Sequence, residues 1–291
     1  MVQVKDRGSI FITGANGGIG SDCVRRFAKM GYTVFAGVRD MEQGNRLKET
    51  IAGSVVPIEI DITVPSSVML AAQKVAAALG KEGLSGLVNN AGCIVQGPLE
   101  LLTLEEIKQQ FDINVFGQVA VTQAFLPLIR RKSGRIVNVG AVTGKTAMPF
   151  LGALSASKHA MEAITDALRM ELKPWNIHVA IIEPTAIQTR IFDKANAASD
   201  LSLKQVPADK RGLYVQAVTA IHAAMAKQPI SPTEVVVEAI IDALTSEKPR
   251  TRYAVGKGAR MVVTLSHLPD KLRDRLLSSS LGLSKVTLQK R

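Results

Sequence analysis

The sequence predicts an α/β fold, a doubly wound parallel sheet in a single domain with a C-terminal lid. Three observations predict it. Short β-branched runs alternate with longer helical patterns along most of the chain. The runs are apolar on both faces, as in a parallel sheet covered by helices on both sides. A glycine-rich turn joins the first strand to the first helix, where such folds place a ligand.

The elements follow in order. Ser9 to Thr13 is the first strand and Gly18 to Met30 the first helix. Thr33 to Val38 and Val55 to Ile60 are the next strands, followed by a helix over Pro65 to Leu79. Gly86 to Val88 precedes a long helix, Leu104 to Arg131, and Arg135 to Val139 precedes another, Leu154 to Lys173. His178 to Ile182 is the sixth strand and Arg252 to Val255 the last. Between them, Ser231-Pro232-Thr233-Glu234 starts a helix to Thr245, with Ser as N-cap, Pro in the first turn and Glu able to close a capping box. Residues 191–230 break the rhythm. They hold one apolar helical pattern, Tyr214 to Met225, and read as a substrate lid. Residues 257–291 read as a basic helical tail, with Met261, Leu265, Leu268, Leu272 and Leu276 at helical spacing. No repeat or interdomain linker divides residues 1–291.

Composition narrows the class. The chain is 46% apolar, enough for a substantial core. Cys23 and Cys93 sit in unrelated contexts, which points to neither a disulfide nor a metal framework and favours a reducing, cytoplasmic compartment. Met1 to Arg7 carries no apolar signal segment, and no uncharged apolar run reaches the roughly 18 residues of a membrane span. Net charge is +11, and from Lys248 to Arg291 eleven Lys/Arg face two Asp. A solvated basic face accounts for this, with weak peripheral membrane contact as the alternative. Three Tyr and one Trp leave little for nucleic-acid bases to stack on, and no nucleic-acid motif is present.

Thr13-Gly14-Ala15-Asn16-Gly17-Gly18-Ile19-Gly20 lies between strand and helix. Glycines there permit a tight turn and close approach to a pyrophosphate, which the helix N-terminus then faces. At the end of the second strand the slot for a ribose-binding acid holds Val38, followed by Arg39 and Asp40. A guanidinium suits a 2′-phosphate, so NADP(H) is the expected dinucleotide. Asp40 is the competitor: it either starts the next helix or pairs with Arg39.

These motifs resemble those of the short-chain dehydrogenase/reductase family, of Rossmann type, over about residues 7 to 190 and more loosely 230 to 256. The resemblance rests on Thr13, Gly14, Gly18, Ile19 and Gly20, on Asn89-Asn90-Ala91-Gly92, on Asn114 and on Lys158. It implies that Asn16, Asp61, Asn90, Ala91, Gly92, Lys158, Pro184 and Thr189 also contact the cofactor, Asp61 beside the adenine and Thr189 beside the nicotinamide amide. Homodimers or homotetramers are common in the family, through helices like those at Leu154 to Lys173 and Pro232 to Thr245. The lid and tail resemble those of retinoid- and steroid-acting members, which implies a lipophilic small-molecule substrate.

The same resemblance exposes departures. Members use a Tyr four residues before the Lys, on one helix face, and a Ser thirteen residues before the Tyr. Here those slots are Leu154 and Ala141, and the usual Pro-Gly after the sixth strand is Pro184-Thr185. A general acid contributes ~10²–10⁴ in rate, about 3–5 kcal/mol of barrier, so reduction of a simple ketone is expected to be poor. The hydroxyls of Thr143, Ser155, Ser157 and Thr185 are too weakly acidic to substitute. His159 is expected to face away from Lys158, Cys93 to be a small core residue, and His178, His222 and His267 to be structural. Three readings remain: hydride transfer to an already activated iminium or conjugated electrophile, a non-redox cyclase or isomerase, and a non-catalytic binding protein. In each, Asn114 and Lys158 are the site residues retained.

Overall fold

The apolar strands leave no face for water, and in the computed structural model of the chain, which describes residues 7–286, they pair into one parallel sheet. The strands are β1 (Ser9–Thr13), β2 (Thr33–Val38), β3 (Val55–Glu59), β4 (Gly86–Asn89), β5 (Arg135–Val139), β6 (His178–Pro184) and β7 (Arg252–Val255). Their spatial order is β3-β2-β1-β4-β5-β6-β7. The direction of winding reverses between β1 and β4, which opens a crevice at the carboxyl ends of those two strands. The expectations for the first six residues and for tail residues 287–291 lie outside the described residues.

The helices are α1 (Gly18–Lys29), α2 (Met41–Glu49), α3 (Pro65–Leu79), α4 (Leu104–Phe111), α5 (Gly117–Lys132), α6 (Gly152–Glu171), α7 (Ile191–Gln205), α8 (Ala208–Gly212), α9 (Val215–Met225), α10 (Glu234–Thr245), α11 (Ala259–Leu265) and α12 (Asp270–Ser280). Alternation along the strands divides the core in two. Ile10 and Ile12 of β1 face a cluster with Val24 and Phe27 of α1 and Val236 and Ile240 of α10. Phe11 faces the opposite cluster, where its ring lies 4.2 Å from that of Phe125 on α5. Each such side chain, fully buried, contributes about 1.5–3 kcal/mol.

Four elements differ from expectation. Helix α2 was legible only as a start at Asp40, because it is short and polar, with only Gly44 buried. The long helix from Leu104 is interrupted by a π turn, Asp112–Phe116, before α5. Helix α10 begins at Glu234 without a side-chain cap. Ser231 Oγ instead accepts from the N–H of Lys257, and Thr233 Oγ1 donates to Asp22. Tertiary partners have therefore taken both hydroxyls from the helix end. Residues 191–230 hold three helices rather than one, because α7 buries only Ala195 and carries little apolar signal.

The run Leu104–Lys132 is long and apolar enough to cross a membrane by length and composition, yet half of its most apolar window is buried inside the fold. The tail packs back on the body. Thr146 Oγ1 donates to Val262 O at 2.8 Å, and Leu277 and Leu281 are buried.

Candidate active site

Gly14 follows β1 with φ of 62°, a left-handed conformation that glycine adopts without steric cost, and a Cβ there would stand 3.0 Å from Ala91 Cα. Asn90 Nδ2 donates to Thr13 O at 2.9 Å and to Gly14 O at 3.2 Å. Thr13 Oγ1 accepts from the N–H groups of Asn90 and Ala91, both at 3.0 Å. The glycine turn and the Asn90-Ala91-Gly92 segment are thereby one unit. Helix α1 starts at Gly18 with no side-chain cap, so its first N–H groups, those of Gly18, Ile19 and Gly20, are presented to an anion by geometry and dipole. Gly18 also lets the loop after Pro184 approach: a Cβ would come 2.7 Å from Thr189 Cγ2.

Asn16 Nδ2 donates to Gln43 Oε1 at 2.7 Å, so this side chain reaches α2. Asp40 caps α2, accepting from the N–H groups of Glu42 at 2.9 Å and Gln43 at 3.4 Å, and its other oxygen accepts from Gln43 Nε2. That settles the competition at the β2 end. Asp40 belongs to the helix, and among the described residues no carboxylate lies within ion-pair distance of exposed Arg39. Asp61 accepts from Thr63 Oγ1 at 2.6 Å and Thr63 N at 2.9 Å. The Thr63 hydroxyl holds its carboxyl below the usual range, with Arg39 adding a smaller pull. An open helix end, a glycine cradle and an unpaired guanidinium together fit a dinucleotide bearing a 2′-phosphate.

At the other end of the crevice the π turn carries Asn114 inward, fully buried. Its Oδ1 accepts from Cys93 N at 2.9 Å, and its Nδ2 donates to Cys93 O at 3.1 Å and to Ser157 Oγ at 3.3 Å. Asn114 thus clamps the backbone just beyond Gly92. Lys158 is 7% exposed and donates from Nζ to Val139 O at 2.8 Å, next to the loop of Ala141. Burial pushes its pKa down to about 8, against a weaker opposing effect of Cys93. Cys93 is half-buried; desolvation raises its thiol. Leu154 is 6% exposed, one turn before Lys158 on α6.

The other protic groups are accounted for individually. Ser157 Oγ donates to Leu154 O, and Ser155 Oγ accepts from Met148 N. Thr185 Oγ1 reaches Val255 O at 3.5 Å, and Thr143 Oγ1 is buried without a partner. His159 is exposed, with Nδ1 2.8 Å from Ser155 O. Tyr253 donates to Asp242 in the core, Tyr32 packs edge-on against Phe27, and Tyr214 donates to Glu100 at 2.6 Å. None of these phenols is paired with Lys158.

The segment read as a lid lines a cleft under α7 and α9, together with residues of the 149–151 loop that the sequence reading missed. Its walls include Phe150, Leu151, Leu203, Val218, Ile221 and Met225. His222 also lines it, which corrects the structural role expected for that residue: α9 places it on the cleft wall. Tyr214 stands over Phe150, ring centroids 6.2 Å apart. Phe150 has φ of 64°, a strained conformation for a bulky residue that costs about 1–3 kcal/mol. No local sequence signal marks Phe150 and Leu151, because they meet the lid helices only across about 50 residues of chain. Helix α7 is tied to the opposite rim through Gln96 Nε2 and Asn196 Oδ1 at 2.6 Å.

Known proteins resemble this chain over most of its length. The family model described as short chain dehydrogenase matches residues 9–200. Dehydrogenase/reductase SDR family member 9 of Bos taurus is 37% identical over 276 residues, covering 92% of this chain and 86% of the relative. The NADPH-dependent 3-dehydrocapnine reductase of Ornithobacterium rhinotracheale is 32% identical over 276 residues, covering 93% and 96%. The crystal structure of a short chain dehydrogenase from Burkholderia cenocepacia J2315 in complex with NADP superposes with a TM-score of 0.72 at 27% identity, covering 94% of this chain and 99% of that one. With the glycine cradle, the Asn90-Ala91-Gly92 segment, Asn114 and Lys158 gathered around one crevice, the chain belongs to the short-chain dehydrogenase family.

Proposed function

We propose that this protein is an NADP(H)-dependent oxidoreductase that transfers hydride to a bulky lipophilic electrophile needing no strong acid, an iminium ion or a conjugated system. One observation carries this reading: the cofactor cradle is intact, while Leu154 and Ala141 occupy the slots for the family's proton donor and its partner. The NADP-bound and NADPH-dependent relatives support the cofactor. When bound, NADPH supplies the hydride. The chain's own groups bind and orient: Arg39 takes the 2′-phosphate, the α1 N-terminus the pyrophosphate, Asp61 the adenine side, and Lys158 the ribose hydroxyls, while Thr189 and Pro184 border the nicotinamide. Asn114 holds the loop at Cys93. Helices α7 to α9 act as the lid, and the apolar cleft beneath them excludes water from the substrate.

The apolar cleft also supports the non-redox alternative, a cyclase or isomerase on the same fold, because a shaped greasy pocket orients a polyene by proximity alone. Exposed Leu104 and Phe116 on the α4–α5 run support a homo-oligomer through that face. Exposed Met261, Leu272 and Leu276 among basic residues support weak peripheral contact with anionic lipid. The two free cysteines suit a reducing, cytoplasmic setting.

The test compares an iminium substrate with a simple ketone, following NADPH absorbance. Turnover of the iminium only is expected, and the joint Ala141→Ser and Leu154→Tyr variant is expected to raise ketone reduction by up to ~10²–10⁴. Product formation without NADPH loss favours the cyclase. No ketone gain, with fold and NADPH binding intact, removes the role given to these two slots.

A further inference from the structure

The end of β6 carries a group that neither the cofactor cradle nor the cleft uses. Glu183 is 1% exposed there, and Glu162, one turn beyond Lys158 on α6, is 5% exposed. Lys145, in the loop after β5, places Nζ 2.8 Å from Glu162 Oε2. Arg252, at the start of β7, places Nε 3.1 Å from the same oxygen and 3.6 Å from Glu183 Oε1. Its Nη2 is 2.6 Å from Asp166 Oδ2, and Asp166 Oδ1 accepts from Arg169 on α6. Lys145, Asp166, Arg169 and Arg252 are thus the charged groups arrayed around the pair from every element packed on it.

Three buried atoms in this cluster make no hydrogen bond: Arg169 Nε, Glu162 Oε1 and Glu183 Oε1, the last with only the 3.6 Å ion pair to Arg252. A carboxylate can only accept, and two buried acceptors with no donor are costly. One proton shared between the two carboxyls supplies the missing donor, as in other close carboxyl pairs. We infer that Glu162 and Glu183 hold one proton between them in mildly acid solution, and that the protonated pair positions the walls of the cofactor crevice.

The link to the crevice is direct. Lys145 extends the Ala141 loop, Glu162 shares α6 with Lys158, and Glu183 precedes Pro184. The loop sits tightly on the helix at this point: a Cβ on Gly144 would lie 3.0 Å from Lys158 O and 3.3 Å from Glu162 Cγ. Glu162 and Glu183 are positioning residues, acting through these segments. Desolvation, then the charge of Glu162, pushes Glu183 up to about 7, against the pull of Lys145 and Arg252. A carboxyl raised in the folded state contributes stability that is full below its ordinary value of 4.5 and is lost as pH rises through about 7. Above that, two buried negative charges repel and the three segments loosen.

Infrared difference spectra of the whole chain across pH 6 to 8.5 are expected to show a protonated-carboxyl C=O band that disappears with rising pH and is missing in Glu183→Gln. The amide side chain of that variant donates permanently to Glu162, so the variant is expected to lose less Tm than the unaltered chain over that range. NADPH binding by fluorescence is expected to weaken over the range by about tenfold more in the unaltered chain than in the variant. Lys158 titrates in both proteins, so the comparison cancels its contribution. Glu162→Gln is the second donor variant if Glu183→Gln does not fold. Absence of the band at pH 6, or equal Tm slopes in both proteins, overturns the shared proton. The band with equal NADPH profiles overturns the positioning role. The infrared and Tm results stand apart from the proposed hydride transfer, because they need no cofactor.

Discussion

At the scale of single residues, the decisive positions are an arginine, a leucine and a lysine. Arg39 stands exposed at the end of β2 without an ion-pair partner among the described residues, because Asp40 is committed to the α2 cap. Arg39→Ala is expected to weaken NADPH binding roughly tenfold or more, the worth of a charge-assisted contact of about 1.5–3 kcal/mol, with little change for NADH. Fluorescence titration with both nucleotides checks this, and an equal loss removes the 2′-phosphate assignment. Lys158 is buried with one carbonyl acceptor and a pKa pushed down to about 8. Because the folded state disfavours its charge, the lysine costs stability below about pH 8, and that cost fades as pH rises toward its ordinary value of 10.5. Lys158→Met is expected to raise stability by about 3 kcal/mol at pH 6 and by nearly nothing at pH 10.5. Denaturant melts at the two values decide it, and a variant less stable at pH 6 contradicts the assigned desolvation. Gly14, Asn90, Asn114 and Lys158 were each legible in the sequence as candidate site residues, through motifs that resemble the family's. His222 and Phe150 were not, because a cleft wall has no local signature.

At the scale of elements, α2 shows how a tertiary role hides in a polar segment. Its apolar periodicity is too weak to be read, yet Asp40 caps it and Gln43 links it to Asn16 in the cofactor turn. Asp40→Ala is expected to cost about 1 kcal/mol of stability, a fall in Tm of about 2 °C, with the preference for NADPH over NADH unchanged. A changed preference would mean that Asp40 acts on Arg39 after all. The π turn at Asp112–Phe116 makes a similar point. The helical pattern from Leu104 was legible, but the π turn that joins α4 to α5 and turns Asn114 toward Cys93 has no signature in that pattern. Likewise Ser231 reads as a helix cap and serves Lys257 instead, because a strand-end contact competes for the same hydroxyl.

At the scale of the whole molecule, Leu104 and Phe116 on the α4–α5 run are among the most exposed large apolar residues. Phe116→Asp is expected to convert an oligomer to a monomer, read by light scattering on a sizing column. An unchanged mass moves the interface elsewhere. By itself the sequence determined the strand–helix alternation, the glycine turn and its dinucleotide chemistry, and it carries Leu154 and Ala141 at the spacing on which the proposed function rests. These are local patterns, set by side-chain period, by backbone freedom at glycine and by residue identity at fixed spacing. Tertiary structure alone decided that Asp40 caps rather than pairs, that His222 lines a cleft under the lid, and that Glu162 meets Glu183 beneath the crevice. Each of those depends on which segments the parallel sheet brings side by side, and contacts between residues tens of positions apart leave no period in the chain.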